Sequence, residues 1–242
     1  MTRFALLLVR VQWIDRRATS SFLIGITLQT AVLTLALARR ATGPEHALVL
    51  ACRAALLTCV TIVLLSAMSS VQNEFRYGTM ENVLLGQVSF GRLLGLRSVA
   101  CAVVMSPALC VPFAGAAVAF PSVLGPRTLL LVAMLYVCLA AICHQCTLLL
   151  CQFTRPSAAV PWFRLALLVV GLSVVPFPGA QQTARLLPTG WVIAYASGTR
   201  AAVAVPMFLA TVSLWTCAVW LTCRGRLHRS IERNLVDGRA AL

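Results

Sequence analysis

None of the 20 basic residues in this 242-residue chain is a lysine; every one is an arginine. A Walker A loop needs a lysine on its phosphates, and a Schiff base or an amine general base needs the lysine itself, so the chain carries none of these. Carboxylates are scarce as well. The six are Asp15, Glu45, Glu74, Glu81, Glu232 and Asp237, and none falls inside a long apolar run. No Gly-x-Ser-x-Gly elbow and no His-Glu-x-x-His pair occurs. The three histidines, His46, His144 and His228, are spread too widely to form one ligand set. Paired acids, nucleophile elbows and metal-hydrolase motifs are therefore missing, and an intramembrane enzyme has no support. Charged residues make up 11% of the chain, against about 25% in soluble domains. That deficit leaves too little polar surface for a water-soluble globule.

What the chain has is apolar length. Hydrophobic residues are 60% of it and its mean hydropathy is +0.90. Six runs have about the 17 to 25 residues that cross a hydrocarbon core: Ser21–Ala38, Ala47–Ser69, Leu94–Phe120, Thr128–Cys151, Ser157–Val175 and Ala201–Cys223. The fold expected is a single all-α membrane domain, with a segment 1–20, a six-span bundle 21–223 and a basic tail 224–242. Met1–Arg17 places Phe4, Leu7, Leu8 and Val11 at helical spacing among Arg3, Arg10, Arg16 and Arg17, which describes an amphipathic elbow helix on the membrane surface. The formal charge of +14 does not point to nucleic acid, because the arginines stand at the ends of apolar runs and not in a patch. Most stand on the side shared by the two termini and the 70–97 interval. Arg39, Arg40, Arg127, Arg185 and Arg200 fall on the other side. The positive-inside rule then puts both termini in the cytoplasm of a cell-membrane protein. The ten cysteines lie nearly all within apolar runs and read as small packing residues. Cys143 and Cys146 share a helix face, with His144 about 100° away, which is poor geometry for a metal.

The longest polar-marked interval lies between the second and third runs. Glu74, Arg76 and Glu81 bracket Gly78, a residue suited to a sharp change of direction. Thr79 can N-cap a short helix, Glu81 sits in its first turn where the dipole favours a negative charge, and Leu84 and Leu85 give it an apolar patch. The pattern Glu74-x-Arg76-x-Gly78-Thr79-Met80-Glu81-x-x-Leu84-Leu85, followed by Ser89 and Leu93-Leu94-x-x-Arg97, resembles the coupling-helix region of type-2 ATP-binding-cassette (ABC) exporter permeases. Gln87 stands where that family often has proline, and Arg97 where it commonly has lysine. The resemblance implies a permease subunit that pairs with a second permease, as a homo- or heterodimer. It also implies a separate cytoplasmic ABC ATPase that binds the ATP and magnesium, so no cofactor is expected in this chain. Export is the direction implied. The same surface helix, Thr79–Leu85, also suits a non-transporting membrane scaffold that recruits a cytoplasmic partner.

On the opposite side, Ala184–Ala196 is too apolar for a solvated loop and too short to span. It reads as a re-entrant or interfacial segment with Trp191 and Tyr195 as aromatic anchors at the outer interface. Its Leu187-Pro188-x-Gly190-Trp191 pattern also resembles the outer stretch between the last two spans of type-2 permeases. Gln29 and Arg53 inside the spans, with Trp191 in this outer segment, are candidates for a substrate path. Thr27, Thr30, Thr34, His144 and Gln145 can equally serve interhelical hydrogen bonding. The topology is open to a direct check with native cysteines replaced. An impermeant thiol reagent should label a cysteine at Gln181 from outside and one at Gln72 only after permeabilisation. Labelling of both from one side rejects the six-span arrangement.

Overall fold

The computed structural model describes residues 28, 31–32, 34–36, 39–57, 90–150 and 184–240. The elbow helix, the fifth span, Gln29 and the whole Glu74–Leu85 motif lie outside the described residues. Among the described residues there is no strand. The helices are α1, residues 44–57; α2, Phe90–Ala119; α3, Pro126–Leu150; α4, Pro188–Ala196; and α5, Ala201–Ala240. A 3-10 turn, Pro121–Val123, joins α2 to α3. Among the described residues two helices are long and apolar enough to cross a membrane, Pro126–Cys146 and Ala201–Arg224. The expected third, fourth and sixth runs thus begin within four residues of an observed helix start.

The helices pack through one apolar face each. On α1 the buried positions are Ala47, Leu48, Ala51, Cys52, Ala55 and Leu56, the i, i+1, i+4 rhythm of one helical side. On α3 they are Leu131, Met134, Leu135, Cys138, Leu139 and Cys143. These faces join Leu109, Phe113 and Ala116 of α2 with Ala204 and Phe208 of α5 in one core. Where backbones approach closely the residues are small. A Cβ on Gly115 of α2 would stand 3.4 Å from the Ala31 carbonyl oxygen and 3.9 Å from Thr34 Cβ, so the first apolar run crosses α2 there. Cys52, Cys138 and Cys143 are buried in the same core, as packing residues.

Three connections meet at one end of the bundle. Arg127, at the start of α3, reaches both Glu45 at the start of α1 and the carbonyls that end α4. Helices α1, α3 and α5 therefore all run away from this end, and α2 returns to it. At the far end of α3, Gln145 donates to Thr216 Oγ1 of α5 at 3.1 Å, as two parallel descending helices allow. The interhelical role expected of Gln145 is what the structure has. Thr211 and Thr222 bond back to carbonyls of their own helix.

The sixth run ends where expected, the spanning window being Ala201–Arg224, and the helix itself continues through Ala240, because Arg224–Ala240 contains no proline and mostly residues that tolerate a helix. One expectation is corrected. Trp191 and Tyr195 are not anchors at an interface. They are 8% and 7% exposed, packed in the core against α3 and α5, because α4 runs beside α5 instead of lying flat.

Gly190 is what permits that arrangement. A Cβ there would overlap the backbone carbonyl of Ala184 and come within 2.9 Å of the Arg185 nitrogen. Backbone cannot give way as a flexible side chain can. Gly190→Ala should therefore lower stability by about 1 to 3 kcal/mol, the usual cost of overpacking. Gly125→Ala, with nothing within 4 Å, should change little. The midpoint of thermal unfolding in detergent measures both, and equal midpoints would contradict the close approach.

Candidate functional site

The site is the segment 184–200, a turn and the short helix α4 that lead into α5. Its descending limit is fixed by Trp215 Nε1, which donates to the Leu186 carbonyl at 2.9 Å. Trp215 lies about 21 Å along α5 from Ala201 at ~1.5 Å per residue. Counted the other way, α4 rises about 14 Å over its length before it reaches the clamp. The turn 184–187 therefore sits roughly 15 to 20 Å below the end of the bundle that carries Arg127. Pro188 opens α4 at a position where a missing N–H costs nothing. Leu187 donates to the Ala184 carbonyl at 3.0 Å and Gly190 to the Leu187 carbonyl at 3.1 Å, so the turn is closed by its own backbone.

The upper end of α4 is fully accounted for. Ser197 N–H bonds the Ile193 carbonyl, Thr199 N–H the Ala194 carbonyl and Gly198 N–H the Tyr195 carbonyl. This is the paired 6→1 and 5→2 closure of a Schellman motif, and Gly198 supplies its left-handed residue with φ of 109°. One further carbonyl, Ala196, would be left in an apolar setting. Arg127 Nη2 donates to it at 3.2 Å and to Tyr195 at 3.1 Å. The guanidinium also lies 5.8 Å from the centroid of the Tyr195 ring. Its Nη1 pairs with Glu45 Oε1 at 3.2 Å. A cation in the first turn of α3 opposes that helix's own dipole. Here the C-terminus of α4 and the Glu45 carboxylate compensate it.

Lower on the segment, Arg185 is exposed and its guanidinium lies 5.6 Å from the centroid of the Trp191 ring. Trp191 is buried, and its Nε1 has no hydrogen-bond partner. Arg53 of α1 is half-buried and its Nε likewise lacks one. Arg53 stands about 12 Å below Glu45 along α1 at ~1.5 Å per residue. Of the substrate-path candidates, Arg53 and Trp191 are thus placed on different elements, and Gln29 lies outside the described residues. The coupling residues Glu74, Arg76, Gly78, Thr79, Met80, Glu81, Leu84 and Leu85 are likewise outside them. No three metal-ligating side chains come together among the described residues.

Sequence reasoning passed over Arg127, Glu45 and Gly198. Two signals were there to read: an arginine in a helix's first turn, against the dipole, and one of very few acids placed just after Pro44 on the same side. The clamp can be measured. Arg127→Gln should unsettle α4 by about 1.5 to 3 kcal/mol, the range for hydrogen bonds to a charged donor. The readout is faster amide exchange at Ser197 to Thr199, and unchanged exchange there would show the clamp to be idle. Compared with known proteins, the chain matches no family model and no curated protein.

Proposed function

We propose that this chain is the transmembrane subunit of an ATP-driven exporter of the type-2 ABC class, a six-span cell-membrane permease with both termini in the cytoplasm. The observation that carries the reading is the segment 184–200, in which the short helix α4 starts from a turn beside the middle of α5's apolar length and then doubles back into α5. Its turn lies at the depth of Trp215, well down an apolar helix. Non-helical backbone at such depth is tolerated only where protein buries it or where it lines a water-filled cavity. Half-helices ending near mid-membrane are a construction that transporters use at their substrate sites. A scaffold that only recruits a partner has no need of one.

The energy source follows from composition. A chain without lysine holds no Walker A site, so work must be delivered by another subunit. The Glu74–Arg97 pattern is the means: Leu84 and Leu85 seat in a groove of a cytoplasmic ATPase, and Glu74, Arg76 and Glu81 set the register. A second permease copy or homologue completes the pathway. Arg53 and Trp191, with Gln29, are the residues assigned to it.

Leu84→Asp should weaken co-purification of the ATPase by about 2 kcal/mol, roughly thirtyfold in affinity, as for other buried anchors. Glu81→Arg should leave ATP hydrolysis by the complex running while transport falls. The purified chain alone should hydrolyse no nucleotide. Hydrolysis by the chain without a partner, or full transport by Leu84→Asp, removes the basis of this reading. A partner retained by Thr79–Leu85 with no transport under any condition favours the scaffold.

A further inference from the structure

The turn below α4 places a full positive charge where an apolar bundle has least use for it. Arg185 is exposed, yet it sits roughly 15 to 20 Å from the clamped end by the helix rise. A hydrocarbon core is about 30 Å thick, so this is close to its middle. An arginine there is costly unless it meets water or an anion, and such residues mark pathways. Among the described residues the carboxylates do not serve it. Glu45 is held by Arg127 at the clamped end, and Glu232 and Asp237 lie more than 20 Å farther along α5 than Trp215, at ~1.5 Å per residue. The contact Arg185 does make is with the face of Trp191, which orients the guanidinium and leaves its N–H groups available.

Three further donors or fields stand near that depth. The Trp191 indole N–H is buried without an acceptor, in a residue only 8% exposed, and a buried unmet donor in a native protein calls for a water or a ligand. Helix α4 begins there with no acid in its first turn and no side-chain cap at Leu187, so its own first turn does not neutralise its positive end. Arg53 offers a second guanidinium with an unmet Nε, about 12 Å below the clamped end at ~1.5 Å per residue.

We propose that the turn 184–187 is an anion-binding site, with Arg185 stacked on Trp191 as its principal donor, and that it receives a phosphate or carboxylate group of the transported molecule. The proposal deepens the export reading and rests on it for the word transported. The binding itself is independent of any ATPase.

The test uses the full-length chain purified in neutral detergent, with phosphatidylglycerol, phosphatidylcholine and inorganic phosphate as probes and native mass spectrometry as readout. The wild type should hold phosphatidylglycerol at least tenfold more tightly than phosphatidylcholine. Arg185→Gln should lose that preference. Arg185→Lys should keep most of it, which guards against a folding defect, and Arg200→Gln should keep all of it, since Arg200 lies at the clamped end. Displacement of the lipid by millimolar phosphate assigns the site to a free anion, and its retention assigns it to an amphiphile headgroup; both uphold the site. Equal affinity for the two lipids, or equal losses in Arg185→Gln and Arg200→Gln, overturns it. If the chain couples to an ATPase yet shows no anion preference, the site fails and the permease reading stands. If anion preference appears without ATPase coupling, the reverse holds.

Discussion

A helix leaves its last carbonyl groups without partners of its own, and each would cost free energy if buried unsatisfied. Arg127 answers this for α4. One guanidinium takes the last two carbonyls, covers the ring of Tyr195 and holds Glu45 from another helix. Its five donors in a rigid fork make it able to serve two directions at once, where a lysine would offer a single point charge. The tie fixes where three connections meet, so it sets which helices run parallel and which end of the bundle is which. Gly198 shares in the same arrangement, since its left-handed backbone returns the chain beneath the arginine toward α5.

The segment that depends on this tie is held by contacts of different character at its two ends. Above, charge and backbone carbonyls meet. Below, the turn relies on close packing, with Gly190 against the Ala184 backbone and one indole hydrogen bond from Trp215. A packed glycine contact is rigid, whereas a single side-chain hydrogen bond is worth about 1 kcal/mol. Between these ends Trp191, Val192, Tyr195 and Ala196 are buried in the core shared with Ala204 and Phe208 of α5, so α4 is seated along its whole length. The periphery of the bundle differs: only 11% of the spanning window of α5 is buried, against 39% for α3, so α5 is free to face lipid or a second subunit.

What this means for function turns on where polarity is retained. The chain has almost no intramembrane acid and uses arginine alone for positive charge. Arg127 is held by Glu45 and two carbonyls, Arg53 has a buried Nε without a partner, and Arg185 lies against the Trp191 ring. A structural arginine is thus separated along the bundle from two arginines without a carboxylate partner among the described residues. The proposed anion site rests on that separation.

The sequence by itself determined the helical class and its apolar elements. Apolar runs of spanning length indicated an all-helical chain, and among the described residues two helices are long and apolar enough to cross a membrane, because length and hydropathy are local properties that any window reveals. The limits of α2 and α3 were legible to within a few residues for the same reason, and Pro121, Gly125 and Pro126 punctuate the chain between them. The pattern around Gly190 and Trp191 marked a short segment but gave its posture as either flat or re-entrant. Only tertiary structure decided that it stands upright, that Trp191 and Tyr195 are core residues, and that α5 runs on past Cys223. The clamp lay further from view, because Arg127 meets Glu45 and Tyr195 across 82 and 68 residues of chain. No local periodicity encodes a partner at that distance; it is fixed only when the apolar faces have packed and brought the helix ends together.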